Sequence, residues 1–409
     1  MSKQSEKDIP RHLLAWYGEN RRDLPWRRTA DPYRIWVAEI MLQQTRVDTV
    51  LPYYERFLEK FPDVGALARA RPGAVLKAWE SLGYYARARH LHEAARVVAG
   101  RFGGRIPDDL DDLRRLPGVG AYTAGAILSI AFGRRVAAVD GNVLRVIARL
   151  FAIKDPVDRG ETRKRIGEIA ARLVPAGGPG HYNQALMDLG SAVCTPRSPD
   201  CSTCPLGAIC KARRNGSQHS IPAKRKLAAV PRREAAVALI ANDRGELLLA
   251  RRPSRGLLGG LWRFPGGVLK DGETPAAGLR RLLREELGLR GSPGNALFSV
   301  EHGYSHFTVT VHVLSCTIPG PIPAAGGGSP LRWAGPQGIS RLAVSRLERK
   351  ILAALPTVRP ARGRIEDGKK TPNRVKEPQA LRTRGRPMSK DHIPATPAIR
   401  TLKDNGVDF

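Results

Sequence analysis

Apolar residues recur every three to four positions over 32–61, 76–98, 123–132, 143–151 and 163–173, a period that predicts amphipathic helices. Strong breakers separate these runs: Asp31-Pro32, Pro62-Asp63, Pro72-Gly73, Pro107-Asp108 and the Pro- and Gly-rich stretch 175–180. Many short helices with Pro or Asp starts predict an all-α domain over residues 1–217. A Pro-bounded basic stretch, 218–232, reads as a linker. The period then changes. Residues 235–240 and 246–250 are short apolar runs around Asn242-Asp243-Arg244-Gly245, a hairpin signal, and 307–314 alternates in β-branched residues. With one helical stretch at 276–287, this predicts an α+β domain over 233–355. From 356 to 409 large apolar residues become scarce while Lys and Arg persist, which predicts a disordered basic tail.

Charge narrows the partner. The 409 residues carry 68 Lys+Arg against 38 Asp+Glu, a net +30, which points to a polyanion: nucleic acid first, an anionic membrane surface second. The N-terminus has no apolar core of a secretory signal, and the most apolar window, near 121–132, is too short to span a bilayer. Five cysteines exclude a disulfide-dense secreted scaffold. A cytoplasmic, nucleoid-associated bacterial protein is expected.

Four of the cysteines cluster as Cys194-x6-Cys201-x2-Cys204-x5-Cys210. Zinc sites usually pair two short knuckles, and only one is present here; four thiolates on one loop can also wrap an iron–sulfur cluster. Spacing alone leaves both metals open. Cys316 stands apart in a strand-like run and reads as core. Leu116-Pro117-Gly118-Val119-Gly120 joins two helices by a tight turn, and the free N–H groups of the helix after Gly120 suit a phosphate. Two carboxylates stand out. Glu39 lies in an apolar helix, where a charge is costly unless used or paired. Asp140 immediately precedes a helix, where an Asp also serves as an ordinary N-cap.

Seven motifs in order resemble the helix–hairpin–helix DNA glycosylase superfamily, and within it the MutY-type adenine DNA glycosylases. They are Leu24-Pro25-Trp26-Arg27, the Glu39 to Thr45 run, Leu82-Gly83-Tyr84-Tyr85, the 116–120 hairpin, Val139-Asp140-Gly141-Asn142, Tyr182-Asn183-Gln184-Ala185 and the four cysteines. The resemblance covers roughly 10–215 and continues more weakly to about 355. It implies a [4Fe–4S] cluster on Cys194, Cys201, Cys204 and Cys210. It implies a base-excision repair enzyme that binds double-stranded DNA as a monomer, with at most transient contacts to other repair or replication proteins. Its reaction would be hydrolytic removal of adenine mispaired with 8-oxoguanine or guanine, after the base is flipped out of the stack. Glu39 would be the acid that lets adenine leave neutral, and Asp140 the anion that stabilises the oxocarbenium-like sugar. Tyr122 and Asn142 would position this centre. Lyase relatives carry a lysine at position 122; a phenol forms no imine, so a monofunctional glycosylase is expected. Trp26, Arg27 and Gln184 would line the adenine pocket. Gln44 and Tyr84 would wedge into the duplex, and Gly118, Val119 and Gly120 would hold its backbone.

The spacing Gly267-x5-Glu273-x7-Arg281, followed by Glu285, Glu286, Gly288 and Leu289, looks like a Nudix box, whose glutamates bind Mg²⁺ for pyrophosphate hydrolysis. Leu282 stands where the box has a further glutamate, which weakens a divalent site. A Nudix-like fold reused for recognition is therefore expected, with Tyr304, Ser305 and His306 as the 8-oxoguanine reader. Two other readings compete: a nucleotide pyrophosphatase, and a non-catalytic iron–sulfur DNA-binding protein.

Overall fold

The computed structural model describes residues 3–223 and 230–355; the tail expected over 356–409 and residues 224–229 of the expected linker lie outside the described residues. The N-terminal part is helical: α1 (Lys3–Asn20), α2 (Pro32–Leu42), α3 (Val47–Lys60), α4 (Val64–Arg69), α5 (Pro72–Ala78), α6 (Ala86–Arg101), α7 (Leu110–Arg114), α8 (Ala121–Ala131), α9 (Gly141–Phe151), α10 (Gly160–Leu173), α11 (Pro179–Asp188) and α12 (Lys211–Arg214). The breakers act as local chemistry requires. Asp31 caps α2 by accepting from the amide of Tyr33 at 2.8 Å, with Pro32 at the first helical position. The period over 32–61 is divided between α2 and α3 by the turn at 43–46.

These helices bury two separate cores. Trp36, Phe57, Leu67, Trp79 and Leu91 centre the first, built from α2 to α8. Ile9, Leu13, Ile147, Ile166 and Tyr182 centre the second, built from α1, α9, α10 and α11. Glycines let backbones meet where the cores join. A Cβ on Gly125 of α8 would lie 2.3 Å from the carbonyl oxygen of Ala137, and one on Gly180 of α11 would lie 2.7 Å from that of Ser129. A side chain on Gly125 would push α8 from the segment leading into α9, and one on Gly180 would drive α11 from α8.

The C-terminal part holds β1 (Arg232–Leu239), β2 (Leu247–Arg251), β3 (Trp262–Arg263), β4 (Gly266–Val268), α13 (Pro275–Leu287), β5 (Ser292–Gly303), β6 (Thr308–Thr317), β7 (Ala325–Gly326), β8 (Ser329–Ala334), α14 (Pro336–Arg341) and α15 (Arg346–Ala354). One sheet runs β4-β1-β6-β5 and the other β3-β2-β8-β7. β1 and β6 are parallel, with Ala235 opposite Val311. Alternation along β1 sends Ala236 and Ala238 toward Leu279, Leu283 and Leu287 of α13, and Ala235 and Val237 toward Leu347 and Ile351 of α15. Cys316 is a buried residue of β6.

The hairpin expected around 242–245 is only local. The turn closes, with the Gly245 amide donating to the Asn242 carbonyl at 2.8 Å, but β1 and β2 then enter different sheets. Both strands are buried on both faces, so each needs a full set of strand neighbours rather than one partner and solvent. Leu261 and Ala343 of this part join the first helical core, so the two parts share apolar contact. Among the described residues no helix is long and apolar enough to cross a membrane.

Candidate active site

The seam between the two helical cores holds the two conspicuous carboxylates. Glu39 projects from α2, is 5% exposed, and accepts a hydrogen bond from the Tyr122 hydroxyl of α8 at 2.7 Å. Burial pushes its carboxyl up to about 7; the Tyr122 bond and Arg27 oppose this, and the charge of Asp140 adds to it. Asp140 caps α9, accepting from the Val143 amide at 2.7 Å through one oxygen and from the Asn142 side-chain amide at 2.7 Å through the other. Burial pushes its carboxyl above the ordinary carboxylate range as well, against the pull of these donors and of Arg145. Asp140 is thus a helix cap and also a half-buried carboxylate within electrostatic reach of Glu39. Tyr122 is held well above the usual phenol range by burial and by both carboxylates, so it stays a hydrogen-bond donor. The pair offers one carboxyl able to keep a proton near neutrality beside a second that four favourable contacts hold toward ionisation.

Asn142 ties this centre to the cysteine loop. Arg145 donates to the Asn142 side-chain oxygen at 2.8 Å, to the Gly190 carbonyl at 2.7 Å and to the Cys194 carbonyl at 2.8 Å. A Cβ on Gly190 would lie 2.6 Å from that of Asn142, so only glycine lets the turn after α11 press against it. One helical turn on, the buried Arg149 donates to the carbonyls of Cys194, Thr195 and Pro196, and to the Cys194 sulfur at 3.3 Å.

Cys194, Cys201, Cys204 and Cys210 line a single hollow of about 300 Å³, counting its part open to solvent. Among the described residues no three His, Cys, Asp or Glu side chains converge on one ion-sized point. The donor set is four thiols spread around a wall, which suits a polynuclear cluster better than one tetrahedral ion with metal–sulfur bonds of about 2.3 Å. The cradle is tight: a Cβ on Gly207 would stand 3.0 Å from the carbonyl oxygens of both Cys201 and Cys204.

The remaining expected residues fall into three places. Arg27 forks onto Asp188 at 2.7 and 2.9 Å, Gln184 accepts from the Tyr17 hydroxyl at 3.2 Å, and Trp26 packs edge-on against Tyr54. All three are buried or nearly so, and Arg27 lies close enough to act on Glu39. Gln44 and Tyr84 both have left-handed backbones, at φ 54° and 47°, and Tyr84 is 44% exposed. At the hairpin, Gly118 has φ 76° and a Cβ there would strike that of His90; Val119 is buried, and Gly120 caps α8 facing open space. In the C-terminal part, residues 304–307 turn β5 into β6. Tyr304 packs on His302 and Phe307, while Ser305 and His306 are exposed. The Ser305 hydroxyl meets that of Tyr84 at 2.6 Å, joining the helical part to the β part at the surface.

Four structurally decisive residues escaped the sequence reading: Arg87, Arg145, Arg149 and Asp188. Arg87 is buried and donates to the carbonyls of Ile40, Met41, Gln43 and Gly83 and to the Thr45 hydroxyl, so one guanidinium holds the loops of both Gln44 and Tyr84. Burial lowers it to about 10. The available signal was a charge on an apolar helical face: Arg149 sits among Val146, Ile147 and Leu150 at helical spacing.

Residues 37–172 match the HhH-GPD superfamily of base excision DNA repair proteins, and residues 236–354 match the NUDIX domain. The adenine DNA glycosylase of Homo sapiens is 35% identical over 397 residues, covering 83% of this chain and 72% of that one. The chain belongs to the adenine DNA glycosylase family. Its Arabidopsis thaliana relative of the same name is 40% identical over 312 residues, covering 66% of this chain and 49% of that one. A solved thermostable thymine-DNA glycosylase is 34% identical, covering 52% of this chain and 98% of that one, with a TM-score of 0.48. The protein is a DNA N-glycosylase with a helix–hairpin–helix domain followed by a Nudix-like one.

Proposed function

We propose that the enzyme hydrolyses the N-glycosidic bond of adenine mispaired with 8-oxoguanine in duplex DNA, without cleaving the strand. The observation that carries this reading is the buried Glu39 carboxyl, bonded to Tyr122 and close enough to Asp140 to feel its charge. Adenine is a poor leaving group as an anion. In the proposed reaction Glu39 delivers its proton to the base, so that adenine departs neutral. Asp140, held by the Val143 amide and Asn142, faces the cationic sugar and stabilises it until water adds. Tyr122 keeps Glu39 oriented. It has no amine with which to trap the opened sugar, which supports a monofunctional enzyme.

Recognition is assigned to the surface where the two parts meet. Gln44 and Tyr84 would fill the space left by the flipped base, while the hairpin at Gly118, Val119 and Gly120 and the net positive charge hold the phosphates. Trp26, Arg27 and Gln184 would bound the adenine pocket from behind Glu39. Ser305 and His306, exposed on their turn beside Tyr84, would read the oxidised base, with Tyr304 packed beneath as support. The hollow lined by Cys194, Cys201, Cys204 and Cys210 would hold a [4Fe–4S] cluster. When bound, the cluster supplies metal–thiolate bonds that fix the loop on which Arg145 and Arg149 anchor.

The test is a duplex carrying adenine opposite 8-oxoguanine or guanine, or paired with thymine, followed by separate quenches with and without alkali. Adenine release opposite 8-oxoguanine, with strand breaks appearing only after alkali, is expected. Equal rates on the adenine:thymine duplex would refute the mispair assignment, and breaks without alkali would refute the monofunctional one.

A further inference from the structure

The Nudix-like box keeps glutamates of the kind that gather a divalent cation in hydrolases, yet arginines occupy them. Arg281 forks onto Glu273 at 2.8 and 2.6 Å and reaches Glu285 at 3.1 Å. Arg263, from β3, donates to the backbone carbonyl of Gly266 and to the carboxylate of Glu286, the latter at 2.5 Å. Arg263 is 8% exposed, and its Nε has no hydrogen-bond partner. A buried donor left unmade is costly, so the two bonds at the other end of the guanidinium hold the side chain in place. Leu282 is buried and lies where Gly267 and Glu286 approach: a Cβ on Gly267 would stand 3.2 Å from a Leu282 methyl and 3.4 Å from a Glu286 oxygen. The position that carries a further carboxylate in the hydrolase box is thus filled with hydrocarbon.

A carbonyl oxygen and a carboxylate oxygen are hard donors of the kind Mg²⁺ takes at about 2.0–2.1 Å. Here the two face the neighbouring terminal nitrogens of one guanidinium. A second, half-buried arginine, Arg252, stands close enough to repel Arg263 and is itself placed near Glu348. A divalent ion entering would have to displace one fixed cation and approach another in a medium where like charges repel strongly. We propose that Arg263 is the resident cation of the Nudix-like domain. Its guanidinium takes the oxygens of Gly266 and Glu286 in place of a metal, joins β4 to α13, and closes the domain to divalent ions. The residues do not fit the metal that the fold implies, and the misfit comes from an added cation as well as a lost glutamate.

Mn²⁺ is the probe, followed on the full-length protein by the paramagnetic resonance of the free ion. Wild type and Glu286→Gln should take up Mn²⁺ equally, because other sites cancel in the difference. Arg263→Met should bind about one further equivalent at least ~10-fold more tightly than wild type. Glu286→Gln in that background should remove it. Mn²⁺ should raise the thermal midpoint of Arg263→Met and leave that of wild type unchanged. The proposal is overturned if Glu286→Gln binds less Mn²⁺ than the wild type, since the metal would then be entering beside Arg263. It is also overturned if folded Arg263→Met gains no site. Should Arg263→Met fail to fold, Arg263→Gln keeps a polar side chain at the same place and is held to the same two outcomes.

Discussion

The chain contains two groups of acidic side chains that look alike in sequence and differ in physical state. Glu39 is buried and Asp140 half-buried; both receive hydrogen bonds from neutral groups and have carboxyls shifted upward. Glu273, Glu285 and Glu286 are each fastened to an arginine, and Arg281 with the Lys270 amide holds Glu273 down at about 2. A carboxylate locked to a guanidinium has no proton to give and no room for a substrate. A carboxyl in a poorly solvated pocket, approached by a phenol, can carry a proton at neutral pH. The partner a carboxylate is given, more than its count or its position on a helix, separates the reactive group from the structural one.

The sharpest test of this contrast is Glu39→Gln. The amide preserves shape and can still accept from Tyr122, but it has no proton of the required acidity. Single-turnover adenine release should fall by roughly 10²–10⁴-fold, with DNA affinity changed far less. In the wild type the rate should decline as pH rises through about 7, the value to which burial carries Glu39. A flat profile between pH 6 and 8.5 would place the proton donor elsewhere.

Asp140→Asn comes next. Asparagine caps a helix about as well as aspartate, so the α9 N-terminus should survive and unfolding should shift little. Losing the negative charge beside the developing sugar cation should cost about 10²-fold in rate. A stability loss as large as the rate loss would reduce Asp140 to its capping role.

Stability against pH sharpens the comparison from the other side. The folded protein raises Glu39 from an ordinary value near 4.5 to about 7, so the native state holds this proton more tightly than the unfolded chain. The associated stability is fully present below about pH 4.5 and is lost as pH climbs to about 7. Glutamine does not titrate. Glu39→Gln and wild type should therefore unfold alike near pH 4.5, while above pH 7 the variant should be more stable by roughly 3 kcal/mol. Chemical denaturation at the two pH values measures the difference directly.

Much of this was legible before any coordinates. Breakers such as Asp31-Pro32 act through their own backbones, so helix starts were readable locally. The carboxylates were visible as charges in apolar or helix-starting contexts, and motif order joined them to one family. What stayed hidden was nonlocal. Nothing in a period of 3.6 tells that Arg87 gathers carbonyls from α2 and from the Gly83 turn, or that Arg145 spans Asn142, Gly190 and Cys194. The β1–β2 turn was readable, yet the separation of its strands into two sheets depends on β6 and β8, some seventy to ninety residues away. Most telling is Glu286, whose partner Arg263 lies outside the box spacing and so could not be weighed with it.

The smallest expected effect tests the structural group itself. Arg281→Gln removes the fork on Glu273 and the contact with Glu285 while leaving the Glu273 bond to the Lys270 amide at 2.9 Å. Glu273 should then titrate closer to an ordinary carboxylate, because the largest influence lowering it is gone. At neutral pH the thermal midpoint should drop slightly, the gap closing as pH falls from about 4.5 toward about 2, and adenine release should match wild type, since the box makes none of the bonds that hold Glu39 or Asp140. Raised salt weakens ion pairs that solvent reaches, so it should narrow the gap in midpoint between variant and wild type. A loss of excision comparable to that of Asp140→Asn would mean that the two acidic groups are coupled through the shared surface at Tyr84 and Ser305, and the separation drawn between them would fail.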